Sequence, residues 1–392
     1  MEYIPRVLQK KLQEYLNNFP VTAITGPRQS GKSTFVKHHL ENQYRYITFD
    51  DPLLIDFFLN DPKGFINEYD NRVIMDEVQR VPEIFSYLKM EVDKDRENYG
   101  KYVITGSGRF SLMKNVSESL AGRIGLLSLL PFQYHEIPEK LRDKQMLYGS
   151  YPELVTREYR YNSEWFASYV NTYIERDVRN LFNIGNLRDF QRLLNLLAAQ
   201  CSQELNMSHL SKELGVSVKT VQNWISILEA SYIIFLLPAY YNNLGKRIIK
   251  RPKLYFYDTG LICYLTGITN SALLEKGPLA GPIFENYVIA EIKKTGDHLN
   301  KHEKLYYLRA SSGLEIDLII ENPQENRIQF IEIKNNSTPK YRMIENIKRI
   351  ISYKGTGVTK QEGFLLYRGK ETGKFTDSIA YLNYKDFFKR IV

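Results

Sequence analysis

Only two cysteines, Cys201 and Cys263, occur in the 392 residues. They stand in no partner pattern, so a disulfide framework is excluded and a reducing compartment is favoured. Long apolar runs are missing as well. The longest, Tyr232 to Leu237, falls far short of the roughly 20 residues that a membrane-spanning helix needs. No signal-peptide pattern opens the sequence. Together these absences predict a cytoplasmic protein with no membrane partner.

What is present is ordinary for a globular chain: 43% hydrophobic and 25% charged residues, with Tyr abundant at 29. The length exceeds that of a usual single domain, so several units are expected, each able to bury a core of its own. The net charge of +8 is unevenly spread. From Lys276 to the end there are 20 Lys and Arg against 14 Asp and Glu, a balance of +6, which leaves 33 against 31, or +2, before it. Such asymmetry suits contact with a polyanion, nucleic acid above all, and equally fits a solvated basic surface.

The stretch Gly26-Pro27-Arg28-Gln29-Ser30-Gly31-Lys32-Ser33 fits G-x-x-x-x-G-K-[ST] and organises the chain. It follows a short apolar run, Val21 to Thr25, and opens a helical pattern through Thr34, Phe35, Val36 and Leu40. Gly26 and Gly31 let the backbone curl so that successive N–H groups point inward, and the following helix adds the positive end of its dipole. The stretch therefore reads as an ATP phosphate loop, with Gly26 through Thr34 around the nucleotide. Lys32 would reach the β- and γ-phosphates, and the Ser33 hydroxyl would take one place on Mg²⁺.

A second apolar run, Arg72-Val73-Ile74-Met75, ends in Asp76-Glu77. Asp76 would hold Mg²⁺, and Glu77 would polarise the water that attacks the γ-phosphate. A further strand, Tyr102 to Thr105, should lie beside it and present Ser107 to the γ-phosphate or its water. Arg109 and Arg123 are both candidates to neutralise the transferred phosphoryl, within the chain or across a subunit boundary, with Arg123 slightly favoured.

These motifs, with Met75-Asp76-Glu77-Val78-Gln79-Arg80-Val81-Pro82, Thr105-Gly106-Ser107, Leu120-Ala121-Gly122-Arg123 and Tyr173-Ile174-Glu175-Arg176-Asp177, resemble a large prokaryotic family of AAA+-type ATPases related to archaeal ATPases. Its members carry a C-terminal domain of restriction-endonuclease-like fold. The resemblance implies ATP binding. Ser150, in Gly149-Ser150-Tyr151-Pro152-Glu153, stands where the family tends to have a second glycine.

The remaining pattern divides the chain. Residues 1–132 form the expected α/β P-loop NTPase core, opened by an amphipathic helix through Val7, Leu8, Leu12 and Leu16, and a helix is expected from Leu53 to about Tyr69. Residues 133–187 read as a helical lid with Trp165, Phe166, Tyr169, Val170 and Tyr173 at core spacing, and Arg176 and Asp177 within reach of nucleotide or of each other. Residues 188–268 read as a winged helix-turn-helix, from the spacing of Leu210, Leu214, Val216, Val221, Ile225 and Leu228. There Ser217, Lys219, Thr220, Gln222 and Asn223 would face a DNA major groove, and Lys246, Arg247, Lys250 and Arg251 on the wing would meet phosphates. Packing inside the ATPase is the alternative role.

A last domain, 276–392, shows a helix-strand-strand-helix-strand order. Asp317, then Glu332-Ile333-Lys334 fifteen residues later, resembles the PD-(D/E)XK nuclease core. Asp317 and Glu332 would hold Mg²⁺, Lys334 would activate water or neutralise the phosphate, and Glu285 would complete the cluster from the first helix. The expectation is an ATPase that couples nucleotide state to DNA engagement. The alternative is a regulatory switch whose C-terminal domain only binds. The sequence leaves homo-oligomerisation open.

Overall fold

The structure is a computed structural model that describes residues 3–106, 120–174, 187–240, 251–352 and 360–391. Ser107, Arg109, Arg176, Asp177, Lys246, Arg247 and Lys250 lie outside the described residues.

The apolar runs of the first third become β1 (Val21–Thr25), β2 (Arg45–Thr48), β3 (Val73–Asp76), β4 (Tyr102–Thr105) and β5 (Ile124–Ser128). They pair in parallel in the order β2-β3-β4-β1-β5. Because parallel strands all end at one edge, the segments following β1, β3 and β4 converge there. β1, β3 and β4 are buried along their whole length, as continuous apolar runs require in a sheet covered on both faces. Helix α1 (Gln9–Leu16) lays Leu12 and Leu16, with Leu8, on one face, beside Phe35 and Val36 of α2 (Lys32–Leu40). The single helix expected between Leu53 and Tyr69 is two, α3 (Pro52–Asn60) and α4 (Pro62–Glu68). Pro62 has no N–H to continue the ladder, and Asp61 Oδ1 accepts from Gly64 N at 2.9 Å to cap the second helix.

After several short helices between Glu139 and Tyr169 come three longer ones, Leu187–Ala199, Met207–Leu214 and Val218–Ala230. The turn between the last two closes on Gly215 at φ 69°, and Ser217 caps the third helix by accepting from Thr220 N at 3.0 Å. Leu210, Leu214, Val221, Ile225 and Leu228 are buried together. β6 (Ile234–Leu237) and β7 (Lys253–Phe256) then form an antiparallel pair.

A 20-residue helix, Ala280–Leu299, opens the last part. The six-stranded sheet packed with it has the order β12 (Gly373–Thr376), β13 (Ile379–Asn383), β11 (Lys360–Tyr367), β10 (Arg327–Lys334), β9 (Glu315–Asn322), β8 (Lys304–Arg309). β8, β9 and β10 run antiparallel, and β11 follows the helix Glu345–Ile351 and lies parallel to β10. β12, β13 and the closing helix Tyr384–Ile391 extend the expected order. No helix among the described residues is long and apolar enough to cross a membrane.

The first sheet has one apolar cluster on each face. A separate cluster runs from Leu130 through Phe166, Leu193, Trp224 and Phe256 into Ile289 and Ile333. The boundaries expected near residues 187 and 268 fall inside this cluster, which the middle helices share with the last domain, while the last domain also buries a cluster around Ile316, Phe330 and Ile347.

Candidate functional site

The loop after β1 is shaped by two glycines. Gly26 has φ +151°, and a β-carbon there would stand 2.1 Å from the Leu129 carbonyl oxygen; Gly31, at φ +88°, is the left-handed residue before α2. Both positions exclude a side chain, for steric and conformational reasons respectively. The Lys32 ammonium is buried beneath the loop, donating to Gly26 O at 3.2 Å and Pro27 O at 2.9 Å. Arg28, Gln29, Gly31, Lys32, Ser33, Thr34, Asp50 and Glu77 line one cavity of about 330 Å³. The structure thus brings Glu77 from β3 onto the loop, although 45 residues separate Lys32 and Glu77 in sequence.

Asp76 ends β3 with its carboxylate buried between two hydroxyls: Thr105 donates to Oδ1 from β4, and Tyr46 donates to Oδ2 at 2.5 Å from β2. Burial, and then the Asp76 carboxylate, push the Tyr46 hydroxyl well above its ordinary range, so it stays a donor. The Ser33 hydroxyl lies close enough to draw the Tyr46 hydroxyl slightly back down, so a carboxylate and a hydroxyl oxygen converge beside the loop. That is the hard-oxygen donor set that suits Mg²⁺. Glu77 lies just past the strand in left-handed backbone, φ 57°, with Gln79 Nε2 donating to its carboxylate.

A second cavity, of about 410 Å³, shares Gln29, Gly31 and Thr34 with the first. Its other walls are largely apolar: Tyr3 and Ile4 from the start of the chain, Phe35, Phe132, and Pro152 from the short helix Pro152–Thr156. One buried cation, Arg6, ties these parts together. Its guanidinium donates to Ser30 O at 3.0 Å, Leu130 O at 2.5 Å and Glu136 Oε1 at 3.0 Å, and lies 4.7 Å from the centre of the Phe132 ring. Burial works against the Glu136 carboxylate, but Arg6, together with His298 and the Gln133 N–H, outweighs it and holds the carboxyl below its usual range. The sequence reading missed Arg6 and Tyr46. No motif marks either, since an Arg before a helix and a Tyr in a strand are unremarkable until the sheet is closed.

One expected residue is placed elsewhere. Arg123 precedes β5, whose pairing sets Ile124 opposite Val21, at the end of the sheet away from the loop. It is held there by Asp93, with Nε at 2.7 Å from Oδ1 and NH2 at 3.1 Å from Oδ2. Arg123 therefore does not reach the nucleotide of its own chain.

In the last domain, Asp317 on β9 and Glu332 on β10 meet across antiparallel strands, and Lys334 clasps both, at 2.9 Å and 2.6 Å. Asp317 Oδ2 also accepts from Ile333 N at 2.8 Å. Glu285, from the long helix, instead accepts from Tyr255 at 2.7 Å and pairs with Lys253 at 3.3 Å; Lys253 also reaches Glu315 at 3.1 Å. Lys253 and Tyr255 come from β7 of the preceding unit, and the only sequence signal was a lysine in an otherwise apolar strand. Among the described residues no three His, Cys, Asp or Glu side chains form a metal-holding group, so Glu285 is not assembled with Asp317 and Glu332 as one carboxylate centre.

Charge is balanced unevenly there. Burial opposes the Asp317 carboxylate, but Lys334 and Lys253 outweigh it and hold the carboxyl below its ordinary range. Burial and then Asp317 push Glu332 far up, and its Oε1 is buried with no hydrogen-bond partner. Burial pushes Glu285 up to about 7 against the pull of Lys253.

Residues 18–138 match the model of an AAA domain, and residues 139–272 and 280–387 match two domains of unknown function, DUF8612 and DUF4143. Two relatives are the uncharacterized proteins Rv2008c of Mycobacterium tuberculosis and Mb2031c of Mycobacterium bovis. Each is 30% identical over 331 residues, which is 84% of this chain and 73% of theirs. Among solved structures, the Walker-type ATPase PABY2304 of Pyrococcus abyssi aligns with 67% of this chain and 96% of its own, at 15% identity and a TM-score of 0.48. The parallel sheet, the Gly26–Ser33 loop and the AAA match define an AAA-type P-loop ATPase. The chain belongs to the family that contains Rv2008c and Mb2031c.

Proposed function

We propose that this ATPase hydrolyses MgATP at the β1 loop and passes its nucleotide state to the last domain, which engages DNA. In this reading the triphosphate lies in the polar cavity with Lys32 on its β- and γ-phosphates, and the base enters the apolar cavity between Tyr3, Phe35 and Phe132. Glu77, oriented by Gln79, takes the proton of the attacking water. Asp76 and Ser33 supply oxygens to Mg²⁺, which when bound neutralises charge on the phosphates.

One observation carries the coupling. The long helix Ala280–Leu299 is hydrogen-bonded to the segment that backs the loop. His298 Nε2 accepts from Leu130 N at 3.1 Å, Lys294 donates to Phe132 O at 2.8 Å, and Glu291 Oε2 accepts from Tyr134 N at 2.7 Å. Leu130 O is itself a partner of Arg6, which holds Ser30 of the loop. The same helix carries Glu285, which pairs with Lys253 of β7 and feels the charge of Asp317 in the last domain. Support for DNA comes from the basic balance of the last third and from the third helix of the middle unit, where Ser217, Lys219, Gln222 and Asn223 are exposed.

The two lysines that clasp the carboxylates favour a second reading, in which the last domain binds without cleaving. The partnerless Glu332 Oε1 favours a cation there and hence cleavage. The deciding experiment measures ATPase rate with double-stranded DNA, single-stranded DNA and RNA at two salt concentrations, and nicking with Mg²⁺ or Mn²⁺. Stimulation that fades with salt supports DNA coupling. Nicking that is lost in Asp317→Ala and Glu332→Ala, with ATPase intact, supports cleavage. An ATPase indifferent to every polymer would end the DNA reading.

A further inference from the structure

A cavity of about 630 Å³ lies away from both clusters, between the helices after Glu139 and the end of the last domain. Its size falls in the range of roughly 300–1,000 Å³ that small-molecule sites occupy. One wall is the turn around Arg142, Lys144 and Tyr148; the other is the β11–β12 turn with Lys370 and the start of the closing helix, with Tyr384 and Lys389.

The cations of this cavity fall into two groups. Three are spoken for by carboxylates: Lys385 pairs with Asp143 at 2.6 Å, Arg368 with Glu275 at 3.5 Å, and Lys389 with Asp386 at 3.0 Å. The first two of these pairs join the walls across the cleft. The others are not paired with acids. Arg142 donates to the Ile137 carbonyl and stacks 5.1 Å from the Tyr134 ring, while Lys144 and Lys370, both exposed, form no ion pair with any described residue. Positive charge in a concavity with low-dielectric walls focuses its field and concentrates anions. Tyr148 and Tyr384, one on each wall, are only partly buried and offer ring surface for a planar base.

We propose that this cleft is a second anion site, which takes a nucleotide 5′-phosphate, with the phosphate between Lys144, Arg142 and Lys370 and the base against a tyrosine. A dianion there joins the wall around Arg142 to the last domain by the same kind of bond that Lys385 and Asp143 already make. The site is separate from the β1 loop and shares no lining residue with either cavity beside it.

The test is calorimetric titration of the full chain with its loop saturated by a non-hydrolysable ATP analogue and Mg²⁺. The probes are AMP, a 5′-phosphorylated oligonucleotide and the same oligonucleotide with a 5′-hydroxyl. One further equivalent of AMP, of the phosphorylated oligonucleotide, or of both is expected; AMP alone identifies a free nucleotide as the source, the oligonucleotide alone a nucleic-acid end. Lys144→Glu/Lys370→Glu alters exposed side chains without ion pairs. It should weaken this binding roughly tenfold or more while leaving the analogue's affinity unchanged. Each single variant should give an intermediate loss. No binding at millimolar probe, equal binding by the double variant, or equal binding of the 5′-hydroxyl oligonucleotide would each overturn the proposal.

Discussion

The Leu129 carbonyl oxygen closes against the α-carbon of Gly26 so tightly that a β-carbon there would lie 2.1 Å from it. The contact ties the phosphate loop to the segment after β5, which in turn is bonded to Arg6, Lys294 and His298. Gly26→Ala must therefore move the loop or that segment. Nucleotide affinity should fall at least tenfold and stability by about 2–4 kcal/mol. Analogue binding and denaturant unfolding measure both.

Glu77→Gln keeps the size and the hydrogen bond to Gln79 but removes the base. Turnover should fall by roughly 10²–10⁴-fold with ATP affinity nearly unchanged. Steady-state hydrolysis together with analogue binding separates the two, and an unchanged turnover would remove Glu77 from the reaction.

Arg123→Ala breaks the pair with Asp93, whose carboxyl Arg123 holds below its ordinary range, and the bond to Ala121 O. Hydrolysis by dilute protein should stay within about twofold of the parent, since Arg123 stands at the end of the sheet away from the loop and an exposed pair contributes little. A loss that appears only at high protein concentration would instead identify Arg123 as a residue acting on a neighbouring copy.

Arg6 and Glu136 are both buried, at 3.0 Å. Arg6→Met leaves the carboxylate with only the Val7 and Gln133 N–H donors and should cost about 3–5 kcal/mol, whereas Arg6→Met/Glu136→Met should recover only part of that loss, since those two donors then go unpaired. Equilibrium unfolding of both variants tests this. Nucleotide affinity should not recover in the double variant, because Ser30 O has still lost its donor.

His298 sets a pH dependence. Burial holds its imidazole down at about 3 from an ordinary 6.5, so it stays neutral in the folded protein while the unfolded chain takes up a proton. The unfolded state then binds more protons between those values, and stability falls as the pH drops through that window. His298→Gln keeps an acceptor for Leu130 N–H and should flatten the decline between pH 7 and pH 4 by roughly 2–3 kcal/mol. Unfolding midpoints of both proteins at the two pH values give the comparison.

The core of the fold was legible because its signals are local. Apolar runs gave β1, β3 and β4, and the glycine spacing gave the loop, since the backbone there cannot be built otherwise. The break at Asp61-Pro62 was also written in the chain, although helical spacing on both sides hid it. Short strands such as β12 and β13 carry little pattern, and the shared interior between the middle helices and the last domain has none, because apolar residues look alike whichever partner covers them.

By itself the sequence singled out the candidates for a nucleotide, its metal and its water: Lys32, Ser33, Asp76 and Glu77 sit in motifs whose spacing encodes backbone geometry. Only the tertiary structure decided who stands beside them. Strand order set Tyr46 and Thr105 on Asp76 and carried Arg123 to the far end of the sheet. Packing of β7 against the long helix put Lys253 between Glu285 and Glu315. Such pairings join residues distant in the chain, and their energies depend on burial and distance, which no local pattern fixes.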